Sequence, residues 1–234
     1  MRPRLPLILV PGLLCDAALW AHQEQFLADV AEPAVADVTA DDSMRAMAVR
    51  VLAQAPDSFA LAGQSMGGYV AREMMRQAPG RVLRLALLDT SARADTAEQT
   101  SRRRGLIELA AKGRFKGVTP RLLPLLVHPD RQADQGLADA IMGMAERVGQ
   151  PAFLRQQTAI MGRPDSRPHL AAIRVPTLVI CGRQDARVPM ELHEETAAGI
   201  AGSRLCVIEE CGHLSPLERP HAVTALLRDW LLRD

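Results

Sequence analysis

Four short apolar runs, at Leu5 to Val10, Ala34 to Val38, Ser58 to Ala62 and Val82 to Leu88, alternate with helix-like stretches at about 19 to 30, 43 to 55 and 66 to 78. A strand followed by a helix-length segment can lie parallel to the next strand, so this alternation predicts a parallel sheet with helices on both faces. Ser43 supplies an N-cap for the second helix, and Pro79-Gly80 stops the third. The pattern resumes late in the chain with apolar runs at Pro176 to Cys181 and Leu205 to Ile208. The last stretch sets Val223, Leu226, Leu227, Trp230 and Leu231 at helical spacing, a stripe that faces a core. The expected architecture is α/β, with a mostly parallel sheet of about six strands. At 234 residues one sizeable core is enough.

Residues 95–170 interrupt this pattern and contain no convincing strand. Ser101 to Lys112, Pro120 to Val127, Leu137 to Val148 and Pro151 to Met161 read as four helices. The third has an apolar face of Leu137, Ile141, Met144, Ala145 and Val148. The expected division is a core of residues 1–94 and 171–234 carrying an inserted helical segment, 95–170.

Gly63-Gln64-Ser65-Met66-Gly67 falls at the corner between the third strand and its helix. Glycines on both sides let the backbone turn tightly around a serine held in strained geometry, which presents its hydroxyl above the sheet. The plainer reading of Ser65 is an ordinary helix N-cap. Two further loops weigh against it. A serine needs a base to take its proton and an acid to orient that base. Asp185 follows the fifth strand and His213 the sixth, so both lie at the same sheet edge as Ser65. The other histidines are placed differently: His22, His193 and His221 fall on predicted helices, and His128 and His169 stand beside prolines. Asp89, at the end of the fourth strand, is the reserve acid.

These segments together resemble the α/β-hydrolase fold superfamily, in its small serine esterase and enol-lactonase-like branch. Val10-Pro11-Gly12-Leu13-Leu14 resembles the family's oxyanion loop, Gly63-Gln64-Ser65-Met66-Gly67-Gly68 its nucleophile elbow, and Gly182-Arg183-Gln184-Asp185 and Gly212-His213-Leu214-Ser215-Pro216 its acid and base loops. The resemblance implies a Ser65, His213, Asp185 triad, with the backbone N–H groups of Leu13 and Met66 as the oxyanion hole. Pro11 stands where the family usually has histidine; it stiffens the turn but brings no hydrogen bond. Strand-like sequence begins at about Leu5, so the antiparallel hairpin that often opens this fold is expected to be missing. The inserted helices resemble the family's cap, and their abundance of Leu and Met suggests an aliphatic, adaptable pocket.

The implied activity is hydrolysis of a carboxylic ester, or a related acyl bond, of a small to medium, aliphatic substrate through an acyl-enzyme. Neither a metal nor an organic cofactor is required. Lactone opening and C–C bond hydrolysis use the same triad and remain alternatives, and a non-catalytic binding protein on the same fold is the rival from another class. A formal net charge of +1 gives no case for a nucleic-acid partner. The run Arg102-Arg103-Arg104 could greet an anionic substrate or an acyl carrier, but a solvated helix face is the favoured reading. The arginine-bearing start before Leu5 has a signal-peptide flavour, yet Pro11-Gly12 cuts its apolar run short and no cleavage site follows. A cytoplasmic protein without membrane spans is expected. Cys15, Cys181, Cys206 and Cys211 lack metal-site or disulfide spacing and should be reduced and mostly buried, with Cys15 and Cys211 in loops near the site, where a thiol reagent could inhibit.

Overall fold

The computed structural model describes residues 4–233; residues 1–3, weighed above as the start of a leader, lie outside them. Six strands, β1 (Leu5–Val10), β2 (Ala31–Val35), β3 (Phe59–Gln64), β4 (Val82–Leu88), β5 (Thr177–Gly182) and β6 (Arg204–Ile208), form one sheet in the order β2-β1-β3-β4-β5-β6. Every neighbouring pair is parallel, so no opening hairpin is present among the described residues. The helices are α1 (Ala21–Leu27), α2 (Met44–Gln54), α3 (Met66–Gln77), α4 (Ala97–Leu109), α5 (Gln135–Met161), α6 (Arg167–Leu170), α7 (Met190–Ala198), α8 (Ser215–Glu218) and α9 (Pro220–Leu232).

Alternate residues of β1 feed two cores. Leu7 and Leu9 pack with Trp20 and Leu27, and with Val223 and Leu227 of α9. Ile8 and Val10 pack on the other face with Met47 and Val51 of α2 and Val70 and Met74 of α3. Burial on both faces explains why these strands read as unbroken apolar runs. The chain steps from β1 outward to β2 and returns to β3 on β1's other side, which makes the crevice above β1 and β3 a topological switch point.

Three local readings need correcting. β2 begins at Ala31 rather than Ala34 and contains Pro33, whose missing N–H is tolerated because β2 is an edge strand. The first expected helix, from about 19 to 30, is a 3₁₀ turn at Ala17–Trp20 followed by α1. Pro120–Leu125 is a 3₁₀ turn with Pro124 inside it, since proline cannot join an α-helical ladder.

The stretch between β4 and β5 is otherwise helical, with no strand among its described residues. α4 starts earlier than expected because Thr96 and Gln99 form a reciprocal capping box. α5 covers both of the last two expected helices, interrupted at Gly149 (φ 73°, ψ 172°) just before Pro151. Leu123, Ile141 and Met144 of this stretch pack into the same core as α1 and α9.

Candidate active site

Ser65 occupies the corner between β3 and α3 with φ 52° and ψ −113°, a conformation that non-glycine residues avoid. Its neighbours make the corner possible. A Cβ on Gly63 would sit 2.3 Å from the Gly67 carbonyl oxygen, and one on Gly67 would sit 2.1 Å from that of Val10. The turn is held by the Ser65 N–H donating to the Leu88 carbonyl at 2.9 Å and by the Thr90 hydroxyl donating to the Ser65 carbonyl at 2.8 Å.

Ser65 Oγ lies 2.9 Å from His213 Nε2, and His213 Nδ1 lies 2.8 Å from Asp185 Oδ2. With the ring proton on Nδ1, facing the carboxylate, Nε2 is free to accept from the serine hydroxyl. The other Asp185 oxygen accepts the backbone N–H groups of Arg187 at 2.8 Å and Val188 at 2.9 Å, which fixes the carboxylate's orientation. Burial alone would depress the His213 pKa, but the charge and hydrogen bond of Asp185 outweigh it and leave it above the ordinary histidine value. Asp89 does not reach the imidazole. Its carboxyl accepts the Gly182 N–H at 3.3 Å and the Ser215 hydroxyl at 2.7 Å. Burial first, and then repulsion from Asp185, hold the Asp89 pKa above the usual carboxylate range.

Leu13 and Met66 line the cavity above Ser65, and among the described residues neither N–H donates to a protein acceptor. Next to them Leu14 is bent to φ 59°, with its N–H donating to Gln156 Oε1 at 3.1 Å. Gly12 is pressed against the elbow: a Cβ there would fall 2.3 Å from Gln64 Oε1. A side chain at position 12 would therefore have to displace the Gln64 amide, which is itself bonded to the His213 carbonyl.

Four contributors escaped the sequence reading. Gln64, buried inside the motif as its variable residue, donates to the His213 carbonyl at 2.7 Å. Glu218 accepts the Gly212 N–H at 2.9 Å and the His128 N–H at 2.6 Å, bracing the histidine loop. His193 lies fully buried behind Asp185, its Nε2 3.9 Å from Asp185 Oδ2, and burial lowers its pKa to about 4. Gln156 binds the Leu14 turn from α5. Gln64, inside the elbow motif, and Glu218, six residues beyond Gly212, lay near a recognisable signal; Gln156 and His193 did not.

The site opens into a cavity of about 690 Å³. Leu106, Leu109, Leu122 and Leu125 supply the expected aliphatic wall, but the one lining methionine is Met66 of the core, and Tyr69, Phe115 and Phe153 also contribute. The wall is also cationic: Arg102, Arg103, Arg114, Lys116 and Arg187 line it, against the lone carboxylate of Asp95 among the described lining residues. Arg103 turns inward onto Asp95 and Gln157 and so departs from the solvated-face reading, whereas Arg102 lines the cavity while staying largely exposed and Arg104 is exposed and does not line it. Cys15 lines the cavity but Cys211 does not, and burial raises the Cys15 thiol to about 12, so neither is poised to react.

A sequence model of the alpha/beta hydrolase family matches residues 7–226. The chain belongs to the alpha/beta hydrolase family. This hydrolase is 30% identical over 193 residues to a pimeloyl-[acyl-carrier protein] methyl ester esterase of Neisseria meningitidis, covering 80% of this chain and 75% of that one. It is 28% identical over 182 residues to a 2-hydroxy-6-oxononadienedioate/2-hydroxy-6-oxononatrienedioate hydrolase of Klebsiella pneumoniae, covering 76% of this chain but only 63% of that protein's length. A thermophilic esterase from Thermogutta terrifontis, solved with malate bound, superposes with a TM-score of 0.88 at 31% identity, covering 97% of this chain and 89% of that one. The enol-lactonase of Burkholderia xenovorans LB400 shares the fold, with a TM-score of 0.88 at 23% identity over 98% of this chain and 92% of its own. Esterases and hydrolases among these relatives support hydrolase activity. Among the described residues no helix is long and apolar enough to cross a membrane, and no group of three or more His, Cys, Asp or Glu side chains could hold a metal ion.

Proposed function

We propose that this hydrolase cleaves carboxylic esters by serine catalysis, with Ser65 as nucleophile, His213 as general base and Asp185 as the orienting acid. The observation that carries this reading is the chain of hydrogen-bond distances from Ser65 Oγ through His213 to Asp185, 2.9 Å and 2.8 Å, at the base of the cavity. Ser65 attacks the acyl carbon as His213 takes its proton. The oxyanion of the tetrahedral adduct is held by the Leu13 and Met66 N–H groups, and His213 then protonates the leaving alcohol. Water, deprotonated by the same histidine, releases the acid and restores Ser65. Residues 95–170 act as a cap that excludes bulk water, on a core of residues 1–94 and 171–234.

The ester relatives favour an ester substrate. The resemblance to a hydrolase of a dienedioate supports a second reading, hydrolysis of a C–C bond with the same three residues. A fluorophosphonate probe followed by peptide mass mapping tests the nucleophile. Labelling of Ser65, absent from Ser65→Ala, is expected; folded wild-type protein that stays unlabelled overturns the reading. A panel of p-nitrophenyl esters set against a vinylogous diketone then separates the two substrate classes.

A further inference from the structure

Resting on the ester-hydrolase reading, we propose that this enzyme selects esters carrying a free carboxylate, half-esters of short dicarboxylic acids, and that Arg187 is the residue that binds it. Arg187 lies two positions beyond Asp185, lines the same cavity as Ser65 and His213, and is exposed there. Among the described residues its guanidinium has no hydrogen bond or ion pair. The neighbouring cations are answered differently. Arg103 bonds Asp95 at 2.7 Å and also Gln157, Arg163 shares Asp95 at 2.6 Å, and Arg93 pairs with Glu195 at 2.8 Å. One buried carboxylate thus serves two arginines and leaves nothing for Arg187.

An exposed guanidinium that opens onto a cavity and has no protein partner is free to pair with an anionic group of a ligand. Protein surrounds this one closely enough that burial lowers its pKa, and the charges of Arg103 and Arg102 push the same way. A monoanion answers all three features. Its planar carboxylate accepts two parallel N–H bonds from one guanidinium, which a lysine could not offer in that geometry. Arg102, which also lines the cavity, adds positive potential, since its own partner Glu98 is 3.8 Å away and both side chains are largely exposed. The Arg187 charge is also close enough to be felt at His213. Because Arg187 lies two residues from Asp185 and lines one cavity with Ser65, a single small ligand can seat a carboxylate on Arg187 and an acyl carbon at Ser65, which points to a short diacid. The aliphatic wall of Leu106 and Leu109 covers the methylenes between.

The test compares mono-p-nitrophenyl adipate with p-nitrophenyl hexanoate, which match in chain length and differ in the terminal carboxylate. The wild-type enzyme should favour the half-ester about 10- to 100-fold in kcat/KM, the range expected of a charge-assisted pair, mostly through KM. Arg187→Gln should bring that ratio to within about threefold of unity, and Arg187→Lys should leave an intermediate ratio. Because each variant is judged by its own ratio, a general loss of activity does not mimic the result. A wild-type ratio at or below one, or an Arg187→Gln ratio equal to the wild-type value, overturns the proposal while leaving the esterase reading intact. Calorimetric binding of monomethyl adipate to Ser65→Ala separates the remaining case. Binding that Arg187→Gln abolishes, in a protein that hydrolyses neither ester, upholds the anion site and overturns the esterase reading.

Discussion

Two aspartates flank His213, and their surroundings assign them different work. Asp185 faces Nδ1 at 2.8 Å with its second oxygen tied to backbone N–H groups, whereas Asp89 spends both oxygens on Gly182 and Ser215. A carboxyl that burial and Asp185 keep from ionising is close to an amide in charge and shape. Asp89→Asn should therefore change kcat by less than about tenfold, while Asp185→Asn, which loses the correct tautomer, should lower it by about 10³- to 10⁴-fold. Equal losses at the two positions would reverse the assignment. If His213 is the base, as proposed, it carries a pH signature. Its neutral form accepts the serine proton, and its pKa is raised, so the protonated, inactive form persists to higher pH than for an ordinary histidine. The acid limb of kcat/KM for a neutral ester should accordingly have its midpoint above about 6.5, the unperturbed value. A midpoint at or below that value would remove His213 from the role.

The elbow between β3 and α3 shows how one element boundary depends on another strand. Gly67 lets the first turn of α3 pass against the end of β1, where an added Cβ would meet backbone atoms of Val10 and Pro11. Backbone cannot step aside as a side chain can, so Gly67→Ala should lose about 3 kcal/mol, the upper end of overpacking costs, measured as a lowered urea midpoint. Gly80→Ala, with open space around it, should change the midpoint little and serves as the control. Such contacts also mark what was legible in the sequence. The strand and helix order came through because β3 and β5 are buried along their whole length and the helices carry apolar stripes. Ser65, Asp185 and His213 were legible as residues following strands. Gln64 and Arg187 were not, because a side chain's partner across 149 residues, or its lack of one, leaves no local pattern. The break at Gly149 was legible through Pro151, and Pro124 carried a like signal against an α-helix at Pro120–Leu125 that the apolar spacing masked.

At the scale of the whole molecule, the helical stretch between β4 and β5 is hydrogen-bonded to the candidate site as well as lining its cavity. The Leu126 carbonyl accepts the backbone N–H groups of His213 at 2.9 Å and Leu214 at 3.2 Å, and Glu218 joins His128 to Gly212. On the opposite side, the fully buried Gln156 of α5 spans two core segments, accepting from the Leu14 N–H at 3.1 Å and donating to the Val38 carbonyl at 3.2 Å. The proposed base loop and oxyanion loop are thus both held from the insertion, and loosening either tie should be felt in catalysis as well as in folding. Gln156→Leu keeps the volume but strands a buried N–H and a buried carbonyl, each costing about 1–3 kcal/mol. It also releases Leu14 from its φ of 59°, next to the Leu13 donor. Since loss of a whole oxyanion donor costs about 10²- to 10³-fold, a displaced one should lower kcat by about tenfold or more with KM changed less. Gln156→Glu, with its buried carboxyl protonated, retains the acceptor for Leu14 while disturbing the bond to Val38, so at low pH within the active range it should lose stability yet keep kcat near the wild-type value. If both variants lose stability but neither loses kcat, the insertion braces the fold without setting the oxyanion geometry; if Gln156→Leu alone loses kcat, the brace acts on the chemistry through Leu14.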